Sequence, residues 1–565
     1  MKKHLYTALA LLFCLRLSAQ VTFPVNGPTD PKHITYAFIH AKIYTDYKTV
    51  VDDATLIIRD GLIMEIGSNA AVPKDAVAYD LKGKTIYPGL IDMFTDYGMA
   101  EPKRGSDGGY PQYQSNVRGA YNWNQAIHAE YDAYKNFTAD GKKAEAWRNL
   151  GFGSVMTFNR DGIARGTSAF VTLGDGKEND IVIKDRVANN LSFDKGTSTQ
   201  EYPGSLMGAI ALIRQTYYDG QWYKNGGYRK EYNIGLDAWN KNSDLTSVFD
   251  AGDKQNVLRA NTIGKEFGVK YIIKGGGNEY QRLSEIKETG ASLIVSLNFP
   301  DAIDMSDPYD ALNVSLEVMK HWELAPANAG MIEKAGIPFA LTAADLKDKK
   351  DFWKNLRKAL DKGLTEEAAL KAMTQTPAEL LHVNDVVGSL KKGMMANFII
   401  TSKNIFDKDN VIYDNWIKGV RYIINESGQK DIRGKYTLAV GSLPALKMSV
   451  SGEAAAPEII VMEDTSKIKA AYSRQGTLIS LQYELKKNNK GIYRLSGASE
   501  EGSNAWKGNA LLPSGDWVKW TATFDSVYTA EAKKDTAKKD TSKMGVVTYP
   551  NMAYGWKELP KQKNS

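Results

Sequence analysis

From Pro88 to about Val387, some 300 residues, short apolar runs alternate with helical segments, and this constrains the fold more than any other feature. The runs include "GFGSVMTF", "LTSVFDAG", "GVKYIIKGG", "ASLIVSLNFP" and "GIPFALTAA". Between them lie "KQNVLRANTIGKEFG", "NEYQRLSEIKETG" and "KDFWKNLRKALDKG", with apolar residues at helical spacing and a glycine where each helix must stop. Strand–helix alternation at this length predicts a parallel (β/α)8 TIM-like barrel over residues 88–387. A chain of 565 residues is too long for one core, so further units are expected around it.

The flanks read as β structure. Residues 20–87 contain alternating strands joined at Asp60-Gly61 and Lys82-Gly83-Lys84. A second β-rich stretch, 388–431, returns after the barrel, so the two ends are expected to share one small β-sandwich domain. Residues 432–527 read as an added antiparallel β module. Residues 528–545 repeat Lys-Lys-Asp-Thr with no apolar period and read as a linker, and 546–565 as a segment that docks back.

Met1 to His4 is basic, Leu5 to Leu17 apolar, and Ser18-Ala19 small, the pattern of a secretory signal peptide over residues 1–19. The apolar run is too short to span a bilayer, and Phe13 before Cys14 is too bulky for a lipoprotein signal. Cys14 is the sole cysteine and leaves with that segment, so neither a disulfide nor a thiolate is available. The expected location is the periplasm, and no later stretch reads as membrane-spanning. The formal charge of +6 includes Lys2, Lys3 and Arg16, which leaves about +3 after cleavage, too little and too scattered for a nucleic-acid binder.

Three stretches carry a resemblance: "RDGLIMEIG", "GKTIYPGLID", and "GLTEEAALKAMTQTPAELLHVNDVVGSLKKGMMANFIIT". In order and spacing they resemble the amidohydrolase superfamily, more narrowly its imidazolonepropionase and prolidase-like branch, from about residue 33 to 425. The resemblance implies the barrel, the composite β domain, and metal-assisted hydrolysis of C–N bonds in amides, lactams and cyclic ureides. Such chemistry needs a divalent ion that acidifies a bound water and polarises the carbonyl, held by imidazole and carboxylate ligands.

At the family's ligand positions this chain departs from the pattern. The first-strand His-x-His falls on Phe94 and Asp96, and the fifth-strand histidine on Asp250. The sixth strand ends in Gly275, Gly276 and Gly277, with the ligand position on Gly276. The eighth-strand aspartate falls on Ala343 or Ala344, with Asp345 as stand-in if the register slips. The family's fourth-strand lysine has no match, and Asn397 replaces a structural aspartate. Of six histidines, His4 leaves with the signal, while His33, His40, His128, His321 and His382 are not at ligand spacing and read as surface or packed side chains.

What remains is Asp96 and Asp250, with Asp92, four residues before Asp96, expected on the same face. They are candidates for one oxygen-ligated Mg, Mn or Ca ion, or simply solvated residues at the barrel mouth. Without an ion, such carboxylates need a cation, and Lys274 or Arg165 can supply it. No nucleophile elbow or phosphate loop is present, and "KGGGNEY" reads as a turn of close backbone approach. The loop 108–125 places Tyr110, Tyr113, Tyr121 and Trp123 over the mouth, either to stack on a glycan or peptide or to pack against the second β module.

Three functions follow as expectations. The first is a cofactor-free pseudoenzyme that partners an active amidohydrolase paralogue, encoded separately or as a fused second half. The second is a working hydrolase using Asp96 and Asp250, with Asp345 as a further candidate. The third is a periplasmic peptide- or glycan-binding protein. A homo-oligomer and a small amide ligand are compatible with each.

Overall fold

In the computed structural model, residues 34–103, 112–303, 313–425, 432–453, 456–475, 478–487, 490–499 and 505–527 are described. The expected signal segment, linker and docking segment, together with His33 and Tyr110, lie outside the described residues.

Both ends of the 34–425 region build one mixed sheet. Its strands are β1 (Thr35–Tyr44), β2 (Val50–Arg59), β3 (Leu62–Gly67), β4 (Val77–Asp80), β5 (Thr85–Pro88), β14 (Phe398–Thr401), β15 (Ile412–Ile417) and β16 (Val420–Ile423). They run in the order β16-β15-β14-β5-β1-β2-β3, with β4 added on β1. The seam between the two ends is the antiparallel β5–β14 pair, which sets Thr85 opposite Thr401. Two-residue turns at Asp60-Gly61 and Lys418-Gly419 have positive φ at both positions, as a tight hairpin requires. They abut, and a Cβ on Gly61 would lie 2.8 Å from the Lys418 carbonyl oxygen. One core holds the sheet, with Phe38 edge-on to Trp416 at 4.9 Å and Phe398 stacked on it at 5.7 Å. Each such buried ring contributes roughly 1.5–3 kcal/mol by transfer alone.

Only Gly89 separates β5 from β6, so the chain passes straight from this sheet into the next. The second sheet has eight strands in sequence order: β6 (Leu90–Thr95), β7 (Phe152–Thr157), β8 (Ala164–Thr172), β9 (Val182–Ser192), β10 (Thr246–Asp250), β11 (Tyr271–Lys274), β12 (Ser292–Ser296) and β13 (Phe339–Thr342). The expectation of a wholly parallel (β/α)8 barrel needs correction. β8 runs antiparallel to both neighbours, whereas the remaining pairs are parallel. The reason is local: only six residues join β7 to β8, too few for a crossover helix. The helices read from sequence are present elsewhere, for example Lys254–Phe267, which Gly268 ends in the left-handed conformation.

The strands are buried on both faces, as continuous apolar runs require. One apolar layer includes Phe152, Phe249, Ile273 and Leu341. The other includes Phe94, Met156, Val248, Ile272 and Ala340. Asp92 ties the sheet's two ends together. Its carboxylate accepts from the Thr342 hydroxyl at 2.7 Å, the Ala343 amide at 2.8 Å and the Phe94 amide at 2.9 Å.

The antiparallel module is a closed barrel of eight strands from β17 (Gly434–Val440) to β24 (Trp517–Val527), each paired with the next and β24 paired back onto β17. Closure leaves no strand edge open. Arg433, at its entrance, pairs with Asp409 at 2.8 Å. Among the described residues no helix is long and apolar enough to cross a membrane.

Candidate functional site: a chain of ion pairs at the strand ends

Alternation along each strand decides which side chains gather at the strand ends. Val248 and Ile272 belong to the layer that holds Phe94, so Asp250 and Lys274, two residues on, share their side of the sheet and end their strands there. Arg165 reaches the same place from the antiparallel β8. Asp345 follows β13 in the left-handed region at φ +66°, which aspartate tolerates better than most residues. Arg160 comes from the loop after β7.

These five side chains form one alternating chain of charge. Arg165 Nη1 lies 3.0 Å from Asp250 Oδ2, and Lys274 Nζ lies 3.6 Å from Asp250 Oδ1. Lys274 Nζ then meets Asp345 Oδ2 at 2.5 Å, and Arg160 Nη2 meets Asp345 Oδ1 at 3.0 Å. The Phe94 ring is the floor for two of the three cations, with Arg160 at 5.0 Å and Lys274 at 5.4 Å from its centroid. Phe94 in turn packs edge-on against Phe158 at 5.0 Å. Arg165 also donates through Nε to the Gly162 carbonyl.

The electrostatics follow from burial. Arg165 is only 4% exposed, and desolvation pulls its guanidinium below the ordinary value although Asp250 opposes this. Burial pushes the Asp345 carboxyl up, but Lys274 and Arg160 outweigh it and hold the group below the usual carboxylate range. Arg160 is also desolvated, and Asp345 more than compensates, so its value is raised. Asp92 is fully buried, and desolvation lifts it to about 6 against its three hydrogen bonds and the charge of Lys349.

This donor set does not fit a divalent ion. Phe94 offers no lone pair, and the two oxygens of Asp250 face Arg165 and Lys274, whose charges repel a metal. Asp96 is exposed, and Asp345 is shared between Lys274 and Arg160. Among the described residues no three His, Cys, Asp or Glu side chains gather as a metal-binding group. Gly276 cannot host a ligand, because any Cβ there would run into the Gly252 carbonyl. The side chain that this strand end presents is Lys274 instead. Ala344 is buried, and its carbonyl accepts from Ser296 Oγ at 2.7 Å. Asn397 joins the two sheets, donating to Ser154 Oγ at 3.0 Å and accepting from the Lys418 amide at 2.7 Å.

The histidines are dispersed. His40 pairs with Asp80 at 3.2 Å, His128 lies 3.9 Å from Glu130, and His321 stacks on Tyr280. His382 sits at a left-handed turn. The aromatic loop docks against residues 199–202. Gln200, almost wholly buried, accepts from the Gln125 amide and donates to the Tyr113 and Trp123 carbonyls. Trp123 stacks on Tyr202 at 6.0 Å yet stays half exposed, Tyr121 is similarly exposed, and Tyr113 is 74% exposed. Trp123 and Tyr121 meet neighbours within residues 112–235, at Tyr202 and Asn233.

Arg160 is the site residue that sequence reasoning missed. Its signal was its place in "TFNRDG", directly after an apolar strand, where residues face the mouth.

No protein-family model matches the chain. A crystal structure of an amidohydrolase from Thermotoga maritima is similar at 20% identity and a TM-score of 0.55, covering 69% of this chain and 99% of that one. A β-aspartyl dipeptidase from Fervidobacterium islandicum aligns at 14% identity with a TM-score of 0.40, over 70% of this chain and 100% of that one. In sequence, an imidazolonepropionase from Deinococcus radiodurans is 39% identical over 46 residues, 8% of this chain and 12% of that protein. The chain thus matches only a small part of that curated relative's length. Over about two thirds of its length this chain has the amidohydrolase fold.

Proposed function

We propose that this protein is an exported, catalytically degenerate amidohydrolase that has replaced its metal centre with an ion-pair chain. It serves as the non-catalytic partner of an active paralogue that hydrolyses amide, lactam or cyclic ureide C–N bonds. One observation carries the reading: Asp250, at the fifth-strand ligand position, has one oxygen toward Arg165 and the other toward Lys274. A carboxylate with a cation facing each oxygen presents a repelling charge, rather than a free lone pair, to an incoming metal.

The partner role draws support from the surface. Tyr121, Trp123, Tyr202, Met207 and Tyr232 are all exposed, and the chain links them locally: Trp123 stacks on Tyr202, Tyr202 bonds the Gly208 carbonyl, and Asn233 bonds the Tyr121 carbonyl. Exposed aromatics in one neighbourhood favour a protein interface.

The test has two arms. Purified chain is offered small amides, dipeptides and lactams, with and without added zinc or manganese, and no turnover is expected. Turnover that disappears in Asp250→Ala would establish a working hydrolase instead. Affinity purification from the native periplasm should recover an amidohydrolase with an intact His-x-His, and Trp123→Ala with Tyr202→Ala should lose it. Recovery of a peptide or glycan in place of such a protein would favour a binding protein.

A further inference from the structure

The closed C-terminal barrel holds a cavity that the reading above does not use. It has a volume of about 320 Å³ and lies at one end of the lumen. Its wall is Leu438, Val440, Met462, Leu485, Tyr483 and Tyr493. At the opposite end Tyr436 and Trp506, 4.8 Å apart, fill the interior. An eight-stranded barrel is just wide enough to be filled by side chains or to hold one small ligand, and here one end is filled and the other is not. The volume is about twice the ~150 Å³ in which an apolar cavity takes up benzene.

The polar groups around it define the ligand's chemistry. Tyr483 is 3% exposed, and its hydroxyl has no hydrogen-bond partner. A buried hydroxyl left unpaired costs about 1–3 kcal/mol, which a ligand acceptor would recover. Burial and the neighbouring Tyr493 raise its pKa, so it is a neutral donor. The two tyrosine rings stack at 5.2 Å and 2° and present a flat aromatic wall. Glu463, also on the lining, is 2% exposed and accepts from the Lys486 and Lys487 amides at 3.0 and 2.9 Å. Its negative charge disfavours an anionic ligand. The lining lysine, Lys447, is engaged by Asp525 at 3.1 Å and by Thr437, so it offers no free cation for a fatty-acid carboxylate.

We infer that the C-terminal barrel is a binding site for a small, neutral, largely apolar molecule, aromatic or short-chain, that carries one hydrogen-bond acceptor for Tyr483. The site is independent of the charged mouth and of its proposed role.

The test uses the full chain and the neutral fluorescent probe N-phenyl-1-naphthylamine. Saturable enhancement at micromolar concentration is expected, with cis-parinaric acid, an anionic chain, binding at least about tenfold more weakly. Val440→Phe, which fills the lumen, should abolish the enhancement. Because that variant can fail to fold, a neutral diazirine photoprobe is also cross-linked to the unmodified chain and mapped by mass spectrometry. Adducts are expected within residues 432–499, concentrated at Met462 and Tyr483. Absence of saturable enhancement, adducts confined to residues 34–425, or equal binding of the anionic probe would each overturn the inference.

Discussion

Removal of Asp250 tests the ion-pair chain as a structural device. Asp250→Ala leaves Arg165, 4% exposed, and Lys274, 6% exposed, facing each other without the carboxylate between them. Breaking a buried pair by deleting one partner costs about 3–5 kcal/mol, because an uncompensated charge stays behind. Lys274 keeps Asp345 as a second partner, whereas Arg165 keeps the Gly162 carbonyl and the weaker influence of Asp194, so most of the cost falls on Arg165. For a domain of this size about 2 °C accompanies each kcal/mol, which gives a fall of roughly 6–10 °C in the barrel transition. The assay is thermal unfolding in chelator, followed by circular dichroism, with Arg165→Met combined with Asp250→Leu as the second variant. Replacing both charges should recover much of the loss, since an apolar pair of similar volume is often neutral or better. Asp96→Asn is the control, and at an exposed position it should cost under about 0.5 kcal/mol. A fall of less than about 1 kcal/mol for Asp250→Ala, or equal effects at Asp96 and Asp250, would refute the reasoning.

Other outcomes follow from the same geometry. Asp92 has a folded-state value of about 6, above its ordinary 3.8. Its contribution is therefore fully present below the unfolded value and is lost as pH rises through 6, a decline of roughly 3 kcal/mol between pH 4 and 6. Asp92→Asn should flatten that window in a series of melting curves. Asp345 has the opposite sign: its lowered value gives stability that is present above its unfolded value and lost as pH falls, so Asp345→Asn should blunt acid denaturation. Gly276→Ala should destabilise by about 1–3 kcal/mol through overpacking against Gly252, whereas Gly277→Ala, with no atom closer than 4.0 Å, should cost only the strain of its positive φ, about 1 kcal/mol. Denaturant midpoints of the two variants separate these effects.

Much of this architecture is legible in the sequence, for identifiable reasons. β10, β11, β12 and β13 are short apolar runs bounded by glycine or proline, so periodicity and punctuation agree. The Asp60-Gly61 hairpin is announced by its own residues. β8 and β9 are harder, because "ARGTSAFVT" and "VIKDRVANNLS" mix polar residues into buried strands. Several of their polar groups find tertiary partners that no local pattern reveals, such as Asn190 Nδ2 donating to the Gly166 carbonyl. The reversed direction of β8 likewise depends on the length of a single loop. At the mouth, the departures at Phe94 and Asp250 are visible from motif register, and so are the cations Arg165 and Lys274. Sequence offers Lys274 or Arg165 as the partner cation; that both reach Asp250, from strands 24 and 85 residues away, comes from the fold. Asp345 is a register question that sequence leaves open and the left-handed turn after β13 answers. Closure of the C-terminal barrel rests on the pairing of β17 with β24, which span residues 434–527, a contact beyond any local signal.

In the proposed reading, cations occupy the ground where a metal centre would stand. The most direct measurement is metal content by mass spectrometry, on protein lacking residues 1–19 and purified without chelator, then dialysed against mixed divalent ions. Far less than one equivalent of any metal is expected, unchanged in Asp96→Ala and Asp250→Ala. A stoichiometric metal that is lost in either variant would contradict that reading.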